Sequence, residues 1–224
     1  MLSYGNILYC MEINWLGNYT WTVKLGICNL LFCKILLISR HQNFIKRVII
    51  GAGNTSYEGW IATQEEELNL LNIEDYYKLF GKEESVDAFL AEHVFEHLSY
   101  EEGAEAGKNI YKFLKPGGYI RVAVPDINFK NEWYHNMCKP GGTGDINHPA
   151  YSHKVFYDYR TLIEIFERIG FKVDLLEYCD ENGRFHFNYW SPEDGIIGRS
   201  LRFDTRNNNG SLGMVSIIID AYKE

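Results

Sequence analysis

Short apolar runs alternate with amphipathic stretches along the chain, and this alternation predicts most of its elements. Val48, Ile49 and Ile50 form a β-branched run that reads as a strand over 47–51, and GWIAT at 59–63 reads as a second short strand. Ile73, Tyr76, Tyr77 and Phe80 recur at helical spacing within 72–80, with Gly81 as the stop. The compact run VDAFLA at 86–91 has the length and composition of a buried central strand. Ser99 and Glu102 are spaced as a capping box for a helix running to Lys115. Pro116, Gly117 and Gly118 end that helix and leave YIRVAV at 119–124 as the next strand. Asp158 caps a further helix whose Leu162, Ile165, Phe166 and Ile169 share one face, closed by Gly170. FKVDLL at 171–176 alternates as a strand, and 213–222 supplies the last one.

Three stretches carry no such pattern. Residues 128–152 hold Pro140, Gly141, Gly142, Gly144 and Pro149, and an irregular segment of this length in a compact domain is expected to be a lid or binding loop. A polar, aromatic insertion at about 177–211 carries Arg184, His186, Tyr189, Trp190, Arg199, Arg202, Asp204 and Arg206. It reads either as a hairpin excursion packed on the sheet or as a surface of aromatic faces for a sugar or other polar small molecule. Residues 1–45 are aromatic-rich and suggest no chemistry, so they are set apart as an extension to a domain at 46–224. Their apolar segment at 25–38 contains Asn29 and Lys34 and is shorter than the roughly 20 residues a membrane span needs. It is expected to be a buried strand or helix, with no membrane role.

Alternating strands and helices around apolar central strands predict an α/β fold, a Rossmann-like, doubly wound, mostly parallel sheet. Ligands of such sheets bind outside the carboxyl ends of the strands, which would bring the loops 52–58, 92–98 and 126–153 to one crevice.

Composition narrows the partners. Hydrophobic residues make up 46% and charged residues 23% of the 224, which suits a soluble globular domain. The formal charge is −8 and no basic block occurs, so nucleic acid is not an expected partner. Cys10, Cys28, Cys33, Cys138 and Cys179 form no CxxC pair, so reduced thiols and a cytoplasmic setting are expected.

The stretch RVIIGAGNTSYEGW at 47–60 ends a strand in a loop with Gly51 and Gly53. No Cβ intervenes there between backbone and ligand, although Tyr57 stands where a dinucleotide fingerprint would place its third glycine. Alone, the loop fits a structural turn equally well.

Residues 85–126, SVDAFLAEHVFEHLSYEEGAEAGKNIYKFLKPGGYIRVAVPD, resemble the class I S-adenosylmethionine-dependent methyltransferases. In particular, they resemble a small group with an EHxxEHL segment followed by LKPGGxxRxAVPD. KPGGTG at 139–144, HKVFYDY at 153–159, and RFDTRNNNG followed by SIIIDA are similar to later segments of that group. The resemblance spans roughly 46–222 and implies an antiparallel last strand.

By position, the resemblance implies that Gly51, Ala52, Gly53 and Asn54 pass under the methionine end of the cofactor. Glu92 and His93 would lie beside the sulfonium and amino group. The ribose acid of the class corresponds to Gln64, followed by Glu65, and its adenine-side acid to Asn69; an amide bonds a hydroxyl without charge assistance.

Methyl transfer needs in-line positioning and a base for the acceptor's proton. His153, His148 and Asp126 are the candidates, with His153 preferred where the long loop returns toward the helix at 158; His93 also lies in the crevice. Glu96 and His97 are expected to hold the 92–98 loop. No His and carboxylate spacing along the chain matches a metal site, so no required metal is expected. The implied activity is methylation of a hydroxyl on a small polar acceptor, a sugar or glycan being favoured. A non-catalytic cofactor-binding protein is the alternative, and an NAD-dependent enzyme is disfavoured by the missing third glycine.

Overall fold

The computed structural model describes residues 10–13, 19–22, 45–208 and 210–224. Strands β1 (Cys10–Ile13) and β2 (Tyr19–Thr22) form an antiparallel two-stranded sheet in a unit of their own, residues 1–44. The apolar segment at 25–38 lies outside the described residues. Among the described residues no helix is long and apolar enough to cross a membrane.

Residues 45–224 form the second unit, built on seven strands. These are β3 (Arg47–Ile50), β4 (Trp60–Ala62), β5 (Val86–Glu92), β6 (Leu114–Pro125), β7 (Lys172–Cys179), β8 (Phe185–Phe187) and β9 (Ser216–Tyr222). Their order is β4-β3-β5-β6-β9-β7-β8. The strands from β4 to β6 are parallel, and β9 runs antiparallel between β6 and β7. This is the Rossmann-like, mostly parallel sheet with an antiparallel last strand that the sequence predicts.

Helices α1 (Ile73–Phe80), α2 (Tyr100–Phe113) and α4 (Tyr159–Ile169) pack in a row along the sheet. Asn72 and Asp158 cap α1 and α4, and the Ser99–Glu102 capping box forms with both reciprocal bonds. The rings of Tyr76, Phe80, Phe89 and Phe113 meet at centroid distances of 5.1–6.4 Å between the row and β5.

The opposite face of the sheet is covered by the insertion. Trp190 and Ile197 pack on Ile49, Leu90, Ala123, Leu176 and Ile218, so among the described residues this face carries an irregular layer where a doubly wound sheet has helices. Three charged residues of the sheet hold that layer. Arg121 donates to the Ser191 and Gly195 carbonyls while forking onto Asp220. Glu177 accepts from the Trp190 indole and the Leu201 N–H, and Glu92 from the Gly198 and Arg199 N–H groups.

Several boundaries differ from expectation: β7 runs past 176 to Cys179, and β9 begins at Ser216 and not at 213. Helix α2 stops at Phe113, and LKPGG already belongs to β6, with the register to β5 slipping between Val86 and Ala88. A side chain at Gly118 would stand 2.9 Å from the Asp87 and Lys115 carbonyls, so only glycine lets the backbone through. The loop after β6 also contains a short helix, α3 (Glu132–Cys138), too short for its periodicity to stand out.

Candidate active site

The loops after β3, β5 and β6 open onto one cleft of about 1000 Å³, at the upper end of the range for small-molecule sites. Its floor begins at the glycine loop. Gly51 and Gly53 take φ of +57° and +54°, a region that disfavours other residues. A Cβ on Gly51 would meet Val94 Cγ2 at 3.0 Å, whereas one on Gly53 meets no atom within 4 Å. Gly53 thus offers bare backbone to a ligand. Ala52 N–H donates to the Thr63 carbonyl and Gly53 N–H to Gln64 Oε1, so from Ala52 to Asn54 only Asn54 keeps an N–H outside these bonds.

Gln64 therefore clasps the loop. Its Oε1 accepts from Gly53 N–H at 3.1 Å, and its amide donates back to the Gly53 carbonyl at 2.8 Å. Glu65 is exposed, and Asn69 shapes a local turn by accepting the Leu71 N–H. None of these three lines the cleft, so the structure does not bring the expected adenosine-end residues to it.

Glu92 and His93 do line it. Glu92 uses both carboxylate oxygens on the Gly198 and Arg199 N–H groups at 2.9 and 2.8 Å, tying the insertion to the cleft. His93 sits at φ +55°, held by its N–H to the Ala123 carbonyl and by Nε2 on Ser216 Oγ at 3.0 Å. The Ser216 hydroxyl donates to the Arg199 carbonyl, so it accepts from His93 Nε2–H. His93 Nδ1 then stands 3.1 Å from Glu96 Oε1. Burial pushes the Glu96 carboxyl up, but the His93 imidazole and the other polar groups around it, His97 among them, together hold it below its ordinary value.

The loop after β6 supplies His148 and His153, and their hydrogen bonds separate their chemistry. His148 Nδ1 accepts the Ala150 N–H at 3.1 Å, so its neutral ring carries the proton on Nε2 and has no spare lone pair. His153 Nδ1 donates to the Cys138 carbonyl at 2.9 Å, which leaves the Nε2 lone pair free in the cleft. Asp126 lies elsewhere: it is fully buried at the end of β6, where its oxygens accept the Asn128 and Cys179 N–H groups. Burial pushes its pKa up to about 6, and it does not line the cleft. Both of its oxygens are taken up by backbone donors, and the structure does not bring it to the cleft.

The remaining walls are Trp133 from α3 and Arg199, Phe203 and Arg206 from the insertion. Trp133 is 54% exposed although it faces the cleft. Arg206 is spent on Asp204 through two bonds of 2.6–2.8 Å, while Arg199 keeps a half-exposed guanidinium 3.5 Å from Glu92. Trp190 fills the core, and Arg184, His186 and Tyr189 stay outside the cleft. What sequence spacing missed is the meeting of Glu96, His97 and His153. One ligand atom from each lies within 4.8 Å of the others across 57 residues of chain, and no local periodicity encodes that approach.

Residues 52–122, from the glycine loop into β6, match a family model described as a methyltransferase domain. No curated protein matches the sequence. Among solved structures, the chain is similar to a SAM-dependent methyltransferase from Archaeoglobus fulgidus, at 18% identity over 87% of this chain and 93% of that one, with a TM-score of 0.43. A SAM-dependent methyltransferase from Thermotoga maritima aligns at 15% identity over 87% and 88%, with a TM-score of 0.45. An O-methyltransferase family protein from Burkholderia thailandensis aligns at 10% identity over 87% and 56%, also with a TM-score of 0.45.

Proposed function

We propose, from the methyltransferase-domain match over residues 52–122, that the chain is a class I methyltransferase that uses S-adenosylmethionine to methylate a hydroxyl of a small polar acceptor, with a sugar as the favoured class. The cofactor supplies a methyl group already activated by its sulfonium. The protein's task is then to hold both partners in line and to accept one proton.

The observation that carries the proposal is the free Nε2 lone pair of His153 within the same cleft as the glycine loop. Its Nδ1–H bond to the Cys138 carbonyl fixes both tautomer and ring, and Glu96 Oε1, 3.9 Å from Nε2, stabilises the imidazolium formed when the acceptor's proton arrives. The bare backbone of Gly53 and the Asn54 N–H suit the cofactor's carboxylate end. The exposed Trp133 ring suits the apolar face of a sugar, and Arg199 a polar or anionic substituent on it. His148 Nε2–H serves as a donor to the acceptor and not as a base.

The test supplies methyl-labelled S-adenosylmethionine and a panel of saccharides and hydroxylated metabolites. Label on a hydroxyl oxygen supports the proposal, and label confined to nitrogen or carbon acceptors contradicts it. A second reading, a cofactor-binding protein without transferase activity, draws on the Gln64 amide being spent on Gly53 and on the Glu92 carboxylate being filled by two backbone donors. Cofactor binding without transfer to any acceptor in the panel would favour it.

A further inference from the structure

Glu96 is fully buried, and neither carboxylate oxygen has a hydrogen-bond partner among the described residues. A buried, unsatisfied anion needs a compensating group. His93 meets it at 3.1 Å, off the line of a hydrogen bond. Two further imidazoles face the same carboxylate. His153 Nε2 lies 3.9 Å from Oε1, and the His97 ring stands edge-on to His153 at 4.8 Å between centroids.

Both rings are tautomerically prepared to give a lone pair. His153 Nδ1–H is spent on the Cys138 carbonyl. The Ser152 hydroxyl donates to the Pro149 carbonyl, so it must accept from His97 Nδ1–H, at 2.8 Å. Each histidine is therefore left with an unprotonated Nε2 while its other nitrogen is anchored to an acceptor, the arrangement that orients imidazole ligands around a metal.

We propose that Glu96, His97 and His153 bind one divalent transition-metal ion of the zinc type. Two imidazoles and a carboxylate suit such a borderline cation, and a fourth position stays open toward the cleft. A tetrahedral set with bonds of about 2.1 Å separates its ligand atoms by about 3.4 Å, so the present spacings of up to 4.8 Å would have to close by at most about 1.4 Å when an ion binds. His93 remains beside Glu96 as the group that orients it. One consequence rests on His153 being the base: a ligated Nε2 has no lone pair, so the ion competes with the acceptor's proton and inhibits transfer while leaving cofactor binding intact.

The experiment titrates the chelator-treated full chain with Zn²⁺ by calorimetry, and with Co²⁺ by visible absorption. The expected result is a saturable site with ligand-field bands, weakened at least tenfold in both His97→Ala and His153→Ala and retained in His186→Ala, whose ring lies outside the cluster. Subtracting the variants removes binding elsewhere on the chain, and their thermal unfolding checks that they fold. No difference between the unmodified chain and both cluster variants overturns the proposal. S-adenosylhomocysteine binding measured in parallel separates the two ideas: cofactor binding without the metal site removes only this inference, and the metal site without cofactor binding removes only the transferase. Faster transfer on adding Zn²⁺ would overturn the competition for Nε2.

Discussion

Arg121→Met should be the most damaging single change away from the cleft. Arg121 and Asp220 are 1% and 4% exposed and share two bonds of 2.7 Å, and the third guanidinium nitrogen holds the Ser191 and Gly195 carbonyls at 3.0 and 2.6 Å. Methionine keeps an unbranched stem in place of the aliphatic part of the side chain and removes every one of these donors. The orphaned Asp220 carboxylate alone is worth about 3–5 kcal/mol of lost stability, as for other broken buried pairs. A carbonyl left dry adds about 1–3 kcal/mol. Against a total of about 5–15 kcal/mol for a domain, the loss is about half or more.

Urea unfolding followed by intrinsic fluorescence and by circular dichroism measures it. The pairing account adds a second requirement: Arg121→Met combined with Asp220→Leu should recover at least about 2 kcal/mol of the single variant's loss, because the stranded charge is gone. A cost below about 1 kcal/mol for Arg121→Met, or a double variant no better than the single one, would refute the reasoning.

Three further outcomes follow from the same geometry. His153→Ala should lower turnover by about 10²–10⁴-fold with S-adenosylhomocysteine affinity nearly unchanged, read by transfer assay and calorimetry; unchanged turnover removes His153 as the base. The Asp126 pKa is raised from the ordinary 3.8 to about 6, so its proton stabilises the fold fully below about pH 4, and that contribution is lost as pH rises through 6. The stability of the unmodified chain relative to Asp126→Asn should accordingly fall by about 2 kcal/mol between pH 4 and 7, and a flat difference would contradict the burial argument. Cys138 and Cys179 are buried with thiols pushed up to about 12 by burial, so both should resist alkylation at pH 8 until the chain unfolds.

Legibility followed the range of the interactions. The helix caps at Ser99 and Asp158, the Gly81 stop and the apolar strands at 48–50 and 86–91 depend on residues within a few positions, and they appear in the structure as the sequence predicts. The GxG loop was equally visible, yet its clasp by Gln64 was not, because an amide eleven residues away gives no periodic signal. Arg121 stood out within LKPGGxxRxAVPD, while its partner Asp220 lies 99 residues further on. The same limit hid the insertion's hold on Glu92 and the approach of His153 to Glu96 and His97. Long-range polar pairs define this cleft, and they become visible only once the sheet has brought strand ends together.

Calorimetric titration of the full chain with S-adenosylhomocysteine, beside the same titration of Gly53→Val, tests the central claim most directly. Saturable one-to-one binding is expected for the unmodified chain, weakened at least about tenfold by a side chain at Gly53 that projects where the ligand's carboxylate end would lie. No binding by the unmodified chain at millimolar ligand, or equal binding by the two proteins, would contradict the placement of the cofactor in this cleft.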